Sequence, residues 1–315
     1  MERTESRIQN IQSEQMTASS HTNKNCPFCA ENEKKTPREI FSLSASSSNK
    51  WSVRVIPNRL PALRVEGDLE RQGLGLYDKL NGIGAHEIVI ETPDHEADIV
   101  EKDLNHIKNV FLTYKKRILD LKNDQRIKYV MVFKNHLISN GSNVQHSHSQ
   151  LIATPVVPKR VSEELVGAKK YFEYKERCIF CDIIYQELKE NKRIVDEEEN
   201  FIAVLPFAAR FPFETWIIPK KHASNFENCP DENLHHLAII YKSVMKKLNK
   251  ALKNPAYHYL IHSSPLTMQN NEHYHWHIEI IPRLQNVTGF EWGTGFYINP
   301  TAPEEAAQYL KELKI

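Results

Sequence analysis

Two stretches decide how this chain is read: QHSHSQLIATP at 145–155 and EHYHWHIEIIPR at 272–283. Each carries a His-x-His pair, His146/His148 and His275/His277. Two positions beyond the second histidine stands Gln150 in one and Glu279 in the other. Residues two apart on a strand share a face. His146, His148 and Gln150 therefore line one side, and Ser147, Ser149 and Leu151 the other. A face of two imidazoles and an amide is poor core material, because every buried polar group needs a partner. It is either the solvent side of an edge strand or a site, and the rest of the chain weighs toward a site.

Working outward, the same order of features recurs. A Cys-x-x-Cys comes first, CPFC at 26–29 and CIFC at 178–181. Strands follow: WSVRVIPNRLPAL (51–63) with HEIVIETPDH (86–95), and FIAVLP (201–206) with TWIIPKKH (215–222). The second strand of each pair is read as closing on a histidine, His95 and His222. An amphipathic helix comes next. Leu104, Ile107, Val110, Phe111, Tyr114, Ile118 and Leu121 share one helical face, as do Leu234, Leu237, Ile240, Tyr241, Val244, Leu248 and Leu252. Strands YVMVFKN (129–135) and YHYLIHS (257–263) lead to the two His-x-His pairs. His95 to His146 spans 51 residues and His222 to His275 spans 53. The chain reads as an α+β protein with two copies of one module, residues 26–160 and 170–315, each an antiparallel sheet with packed helices. PKRVSEELVGAKKYFEYKER joins them as a charged segment, residues 1–25 form a polar N-terminal stretch, and Pro303 starts a last helix.

The chain has 315 residues, enough for about two domains. Its 41 basic and 40 acidic residues nearly cancel, which argues against a protein that coats nucleic acid or an anionic membrane. No run is long and apolar enough to span a bilayer, and the first twenty residues hold no apolar signal core. The expected compartment is the reducing cytoplasm. There, paired cysteines read as metal ligands or redox centres rather than disulfides. CPFC follows the polar SSHTNKN, which suits a metal knuckle better than a redox pair at a helix start. Cys229 has no partner and reads as a surface or helix-edge thiol.

A Cys-x-x-Cys pair is half of a tetrahedral zinc site. Cys26, Cys29, His95 and His146 complete one, and by the repeat Cys178, Cys181, His222 and His275 complete another. A site closed by four protein ligands is structural and cannot activate water, so the reacting group lies elsewhere. His148 is the candidate. A neutral imidazole is a good nucleophile toward phosphorus, and Gln150 with the loop 140–143 supplies donors for phosphoryl oxygens. Glu279 at the corresponding place would repel a phosphate, so His277 is expected to serve structure or metal.

FKNHLISNGSNVQHSHSQLIATPVVP, VRVIPNRLPAL, GAHEIVIETPDH and GFEWGTGFYINPTAPEEAA together resemble segments of the galactose-1-phosphate uridylyltransferase family, within the histidine-triad superfamily. The resemblance covers most of residues 26–313 and implies two histidine-triad-like half-domains. It implies that His148 attacks the α-phosphorus of a nucleoside diphosphate sugar and forms a nucleotidyl-histidine, that Gln150 binds the phosphoryl oxygens, and that His95 ligates zinc. It implies substrate contacts at Asn58, Asn135, Ser142 and Glu291, and a homodimer. The nucleotidyl group then passes to a sugar 1-phosphate, or to inorganic phosphate in the phosphorylases that share the H-S-H-S-Q form. Leu137 stands where the family usually has glycine, Asn143 where it has serine, and only Arg7 and Asn10 hint at its arginine-bearing N-terminal motif. The leading expectation is a hexose-1-phosphate uridylyltransferase-like enzyme. The rivals are a nucleotide-sugar or dinucleotide phosphorylase or hydrolase using the same histidine, and a zinc-stabilised nucleotide-binding protein without turnover. A zinc-finger nucleic-acid binder fits poorly, since the ligands are too far apart and the chain is not basic.

Overall fold

The computed structural model describes residues 25–44, 50–137 and 145–315. In the first half, β1 (Phe41–Ser44), β2 (Trp51–Pro57), a small hairpin of β3 (Gln72–Leu74) and β4 (Tyr77–Lys79), and β5 (Ala85–Ile90) precede α1 (Leu104–Leu121), β6 (Tyr129–His136) and β7 (His148–Thr154). Two helices, α2 (Lys159–Lys175) and α3 (Ile179–Glu190), lead into the second half. There β8 (Ile194–Glu197), β9 (Phe201–Val204) and β10 (Thr215–Pro219) precede α4 (Asn233–Leu252), β11 (Tyr257–His262) and β12 (His277–Pro282). Two C-terminal helices, α5 (Gly289–Thr294) and α6 (Pro303–Glu312), close the chain.

Ten strands form one antiparallel sheet in the order β1-β2-β5-β7-β6-β11-β12-β10-β9-β8. The order of the first five is mirrored in the last five, as expected for a repeated module. The halves meet where β6 pairs with β11, Asn135 opposite His258 and Phe133 opposite Leu260. One core therefore serves both copies. It lies under α1 and α4, whose apolar stripes pack on Val89, Val130, Val132, Leu151, Ile261 and Ile278. Phe111 and Tyr241 meet edge to face across the two helices at 5.5 Å. Each fully buried side chain of this kind contributes roughly 1.5–3 kcal/mol by leaving water. Asp103 caps α1 by accepting from the His106 amide.

Four readings change. The joining segment is helical, because Val161, Leu165 and Ala168 recur at helical spacing and pack on Tyr129 and Tyr274. Glu176 ends that helix in the left-handed conformation, and Cys178 stands at the N-terminal boundary of the next without a side-chain capping bond. Strands β5 and β10 stop at Ile90 and Pro219, so His95 and His222 lie in loops beyond them. β7 is flanked on both sides by β5 and β6, so its polar face is not the solvent side of an edge strand. Cys229 is buried in the core rather than at a surface.

One glycine is required by close approach. Gly84, at φ +153°, enters β5 against the end of β7, where an added Cβ would lie 2.1 Å from the Ala153 carbonyl oxygen. No helix of the described residues is long and apolar enough to cross a membrane.

Candidate active site and metal centres

The face of the sheet away from α1 carries two Cys-x-x-Cys knuckles. In the first, Cys26, Cys29, His95 and His146 bring one donor atom each to within 4.8 Å of one another. Cys26 Sγ lies 3.6 Å from His146 Nδ1, and Cys29 Sγ lies 3.5 Å from His95 Nδ1 and 3.7 Å from His146 Nδ1. Four thiolate and imidazole donors around a small tetrahedral ion, at about 2.3 Å for sulfur and 2.0 Å for nitrogen, sit about 3.6 Å apart. The spacing fits such an ion. His146 Nε2–H donates to the Thr92 carbonyl at 2.7 Å, which fixes the tautomer and turns Nδ1 to the cysteines. Burial, and then Cys26, push the Cys29 thiol up to about 12. Holding both sulfurs as thiolates in this pocket would take a cation.

The second knuckle repeats this. Cys181 Sγ lies 3.4 Å from His222 Nδ1 and 3.7 Å from His275 Nδ1, and Cys178 completes the group. His275 Nε2–H donates to the Pro219 carbonyl and His222 Nε2–H to that of Asn271. Here His222 is exposed and Cys181 only half-buried, whereas Cys26, Cys29 and His146 are buried. With metal in both groups, a chelator should strip the second first, and Cys181→Ser should remove the fast phase. Loss of the fast phase on Cys26→Ser instead would reverse this order.

His148 opens β7 beside the first knuckle. Its Nδ1–H donates to the His146 carbonyl at 2.8 Å, so the lone pair is on Nε2. Burial lowers its pKa, which keeps the ring neutral. The Phe28 ring stands edge-on at 5.2 Å. His148 is 8 % exposed while His277 is 1 % exposed. His277 makes the same backbone bond, to His275 O, but His262 stacks on it at 4.9 Å and Phe180 and Trp216 cover it at 5.0 and 5.1 Å. Glu279 accepts from Arg210 at 2.6 Å and pairs with His262 at 3.4 Å. Burial opposes charge on His262, yet Glu279 and Glu164 outweigh it and push its pKa up to about 10. Burial, and then His262, push His277 down to about 4. The second His-x-His is thus closed by ion pairs and aromatic rings. The grouping of Glu164, His262 and His277 was not read from the sequence.

The inward side of β7 explains its serines. Lys134 Nζ, fully buried, donates to Glu91 Oε2 at 2.6 Å and to Ser147 Oγ at 2.9 Å. Ser147 donates to Glu91 at 2.7 Å, and Tyr114 bonds Glu91 at 3.0 Å and Ser149 at 2.8 Å. This network clamps the backbone on either side of His148. Lys134→Met should destabilise the protein by about 3–5 kcal/mol, because it strands a buried carboxylate. Denaturant unfolding would measure it, and Lys134→Met with Glu91→Leu should recover most of the loss. A single variant within about 0.5 kcal/mol of the parent would contradict a clamping role.

The structure also places the residues that the resemblance names. Gln150 shares the His148 face, with its Oε1 2.8 Å from His86 Nε2. Asn58 lies against the same histidine. Asn135 accepts from His258 of the second half at 2.8 Å. Glu291 is 3 % exposed and closes a capping box: Oε2 accepts from the Thr288 amide at 2.7 Å and Oε1 from the Ile298 amide at 3.0 Å. In this chain it orders its own segment. Ser142, Asn140, Gly141, Asn143, Arg7 and Asn10 lie outside the described residues. His86 and Lys134 were missed. Both are polar residues beside apolar runs, His86 ahead of Ile88–Ile90 and Lys134 after Val130–Phe133, and that was the available signal.

Comparison with known proteins follows the halves. The N-terminal domain of galactose-1-phosphate uridyl transferase matches residues 1–158 and its C-terminal domain residues 164–314. ADP-glucose phosphorylase of Arabidopsis thaliana is 40% identical over 92% of this chain and 82% of its own length. Galactose-1-phosphate uridylyltransferase of Thermotoga maritima is 30% identical over 84% and 86%. The crystal structure of an Arabidopsis thaliana ADP-glucose phosphorylase with bound ADP-glucose superposes with a TM-score of 0.83 at 38% identity, covering 95% of this chain and 94% of that one.

Proposed function

This chain belongs to the galactose-1-phosphate uridylyltransferase family, and on that premise we propose that it is a nucleotide-sugar phosphorylase working through a covalent nucleotidyl-His148. The observation that carries the reading is the tautomer of His148: Nδ1–H is tied to the His146 carbonyl, and Nε2 holds its lone pair. Nε2 forms a P–N bond to the α-phosphorus of a nucleoside diphosphate hexose. The bond from that phosphorus to the bridging oxygen breaks, and hexose 1-phosphate leaves with the electron pair. An oxygen of inorganic phosphate then attacks the same phosphorus. The P–N bond breaks back to Nε2, and a nucleoside diphosphate is released. Gln150 donates to the phosphoryl oxygens in both transition states. Asn58, Asn135, Ser142 and Glu291 are proposed as its substrate contacts.

Phosphate is preferred as acceptor because the ADP-glucose phosphorylase relative is more similar over more of this chain than the Thermotoga maritima transferase. The second reading, a hexose 1-phosphate acceptor and a uridylyl donor, rests on the family itself. Zn2+ is proposed for both knuckles, since two thiolates and two imidazoles at tetrahedral spacing suit it. It would hold the strand that carries His148, with no part in bond-making. A homodimer in the cytoplasm completes the proposal. The test incubates the protein with ADP-glucose or UDP-glucose labelled in the α-phosphate. Acid-labile label should appear on the protein. Release by inorganic phosphate as labelled nucleoside diphosphate supports the phosphorylase, release only by hexose 1-phosphate supports the transferase, and no label with either donor defeats both.

A further inference from the structure

We propose that His86 is a positioning residue for nucleotidyl transfer, acting by holding the side-chain amide of Gln150 in one orientation. The inference rests on the transfer chemistry proposed above and goes beyond it, since it concerns a residue that touches no reacting atom.

The hydrogen bonds fix the ring. The Ala62 backbone amide donates to His86 Nδ1 at 3.1 Å. A backbone amide can only donate, so Nδ1 carries a lone pair and the neutral ring bears its proton on Nε2. That Nε2–H faces Gln150 Oε1 at 2.8 Å. Asn58 Nδ2 is 3.0 Å from Nε2 and 3.5 Å from Nδ1. An atom in line with the Nε2–H bond would be far from Nδ1, so the Asn58 amide lies over the ring face, where an N–H meets the π-cloud rather than the proton. Its Oδ1 is taken by the Leu60 backbone amide at 3.0 Å, and the Asn58 backbone amide donates to the His86 carbonyl at 2.8 Å. The imidazole is thus held on one edge and one face by the segment 58–62, and its other edge grips Gln150.

The consequence lies in the amide. A glutamine side chain has one accepting and one donating end of nearly equal shape. With Oε1 tied to His86, the NH2 is the end offered to a phosphoryl group on the His148 side. Without that bond the amide can rotate by half a turn and set an oxygen lone pair against the anionic oxygens it should stabilise. His86 sits on β5, where Ile88 pairs with Gln150 and Ile90 with His148, so its ring approaches Gln150 diagonally across the sheet.

The test is a double-mutant cycle with a rescue, read on the wild-type donor and acceptor. His86→Leu should lower kcat roughly 10- to 100-fold, the range for removing a residue that orients an active group, with the donor KM changed less than about 3-fold. In a Gln150→Ala background the same substitution should cost no more than about 2-fold, because the amide it acts on is gone. His86→Gln places an amide nitrogen near the position of Nε2 and should restore much of the rate. His86→Asn reaches only the position of Nδ1 and should not. If His86→Leu fails to fold, the Gln and Asn variants carry the contrast, with metal content and thermal midpoint as controls. Equal losses in both backgrounds, or equal rates for His86→Gln and His86→Asn, overturn the inference. A parent protein that transfers no nucleotidyl group defeats the transfer reading itself, and this inference with it. An active parent with an additive cycle defeats this inference alone.

Discussion

His148→Gly is expected to abolish covalent nucleotidyl labelling and to lower turnover by about 10⁴-fold or more, since the substitution removes the nucleophile rather than a helper. Metal content and thermal midpoint should stay near the parent's. His148 bonds a backbone carbonyl through Nδ1 and donates nothing to the Cys26 group. The cavity left beside Phe28 is the size of an imidazole, and added imidazole should restore part of the rate as a free nucleophile. His277→Asn is the internal control. It should lose stability, because His277 is packed between His262, Phe180 and Trp216, and still accept label. Wild-type turnover by His148→Gly, or label mapped outside 146–150, would sink the assignment.

How much of this was legible depended on whether the signal was local. The repeat was legible because each copy writes the same features in the same order, and the mirrored strand order is its geometric result. The metal groups were legible because cysteines are few, four of the five fall in two Cys-x-x-Cys pairs, and their spacing to histidines repeats. The loops carrying His95 and His222 were not. A strand's apolar alternation says nothing about where pairing stops, and β10 ends at a proline that cannot donate to the ladder. The helical joining segment was hidden by its charges, although Val161, Leu165 and Ala168 already marked a stripe. Glu291 was legible only through the resemblance, and the bonds of its carboxylate to the backbone of its own segment show only in the folded chain. Lys134 lies on β6 and Glu91 just past the end of β5, and only the folded chain shows that they neutralise each other behind Ser147.

The largest effect on folding is expected at the first knuckle. Metal binding in such a site is folding free energy, because the unfolded chain has no preformed site, and a thiolate–imidazole site contributes about 10 kcal/mol or more of apparent binding energy. That is comparable with the whole stability of a typical domain. Cys26 is fully buried and packs with Phe28, Trp51, Ile56, Ile88 and Ile90 in a small cluster on the far face of the sheet. Cys26→Ser should therefore release one equivalent of metal and unfold this cluster. It should also lower turnover, because Phe28 stands against His148 and His146 O holds the Nδ1 proton of His148. Cys178→Ser should also release one equivalent, but with a much smaller loss of rate, since no bond of the second group reaches His148 among the described residues. Elemental analysis, denaturant unfolding and label transfer on the two variants separate the cases. Protein purified without chelator that holds no metal, or a Cys26→Ser variant as stable as the parent, would show that the cysteines and histidines hold the fold without an ion.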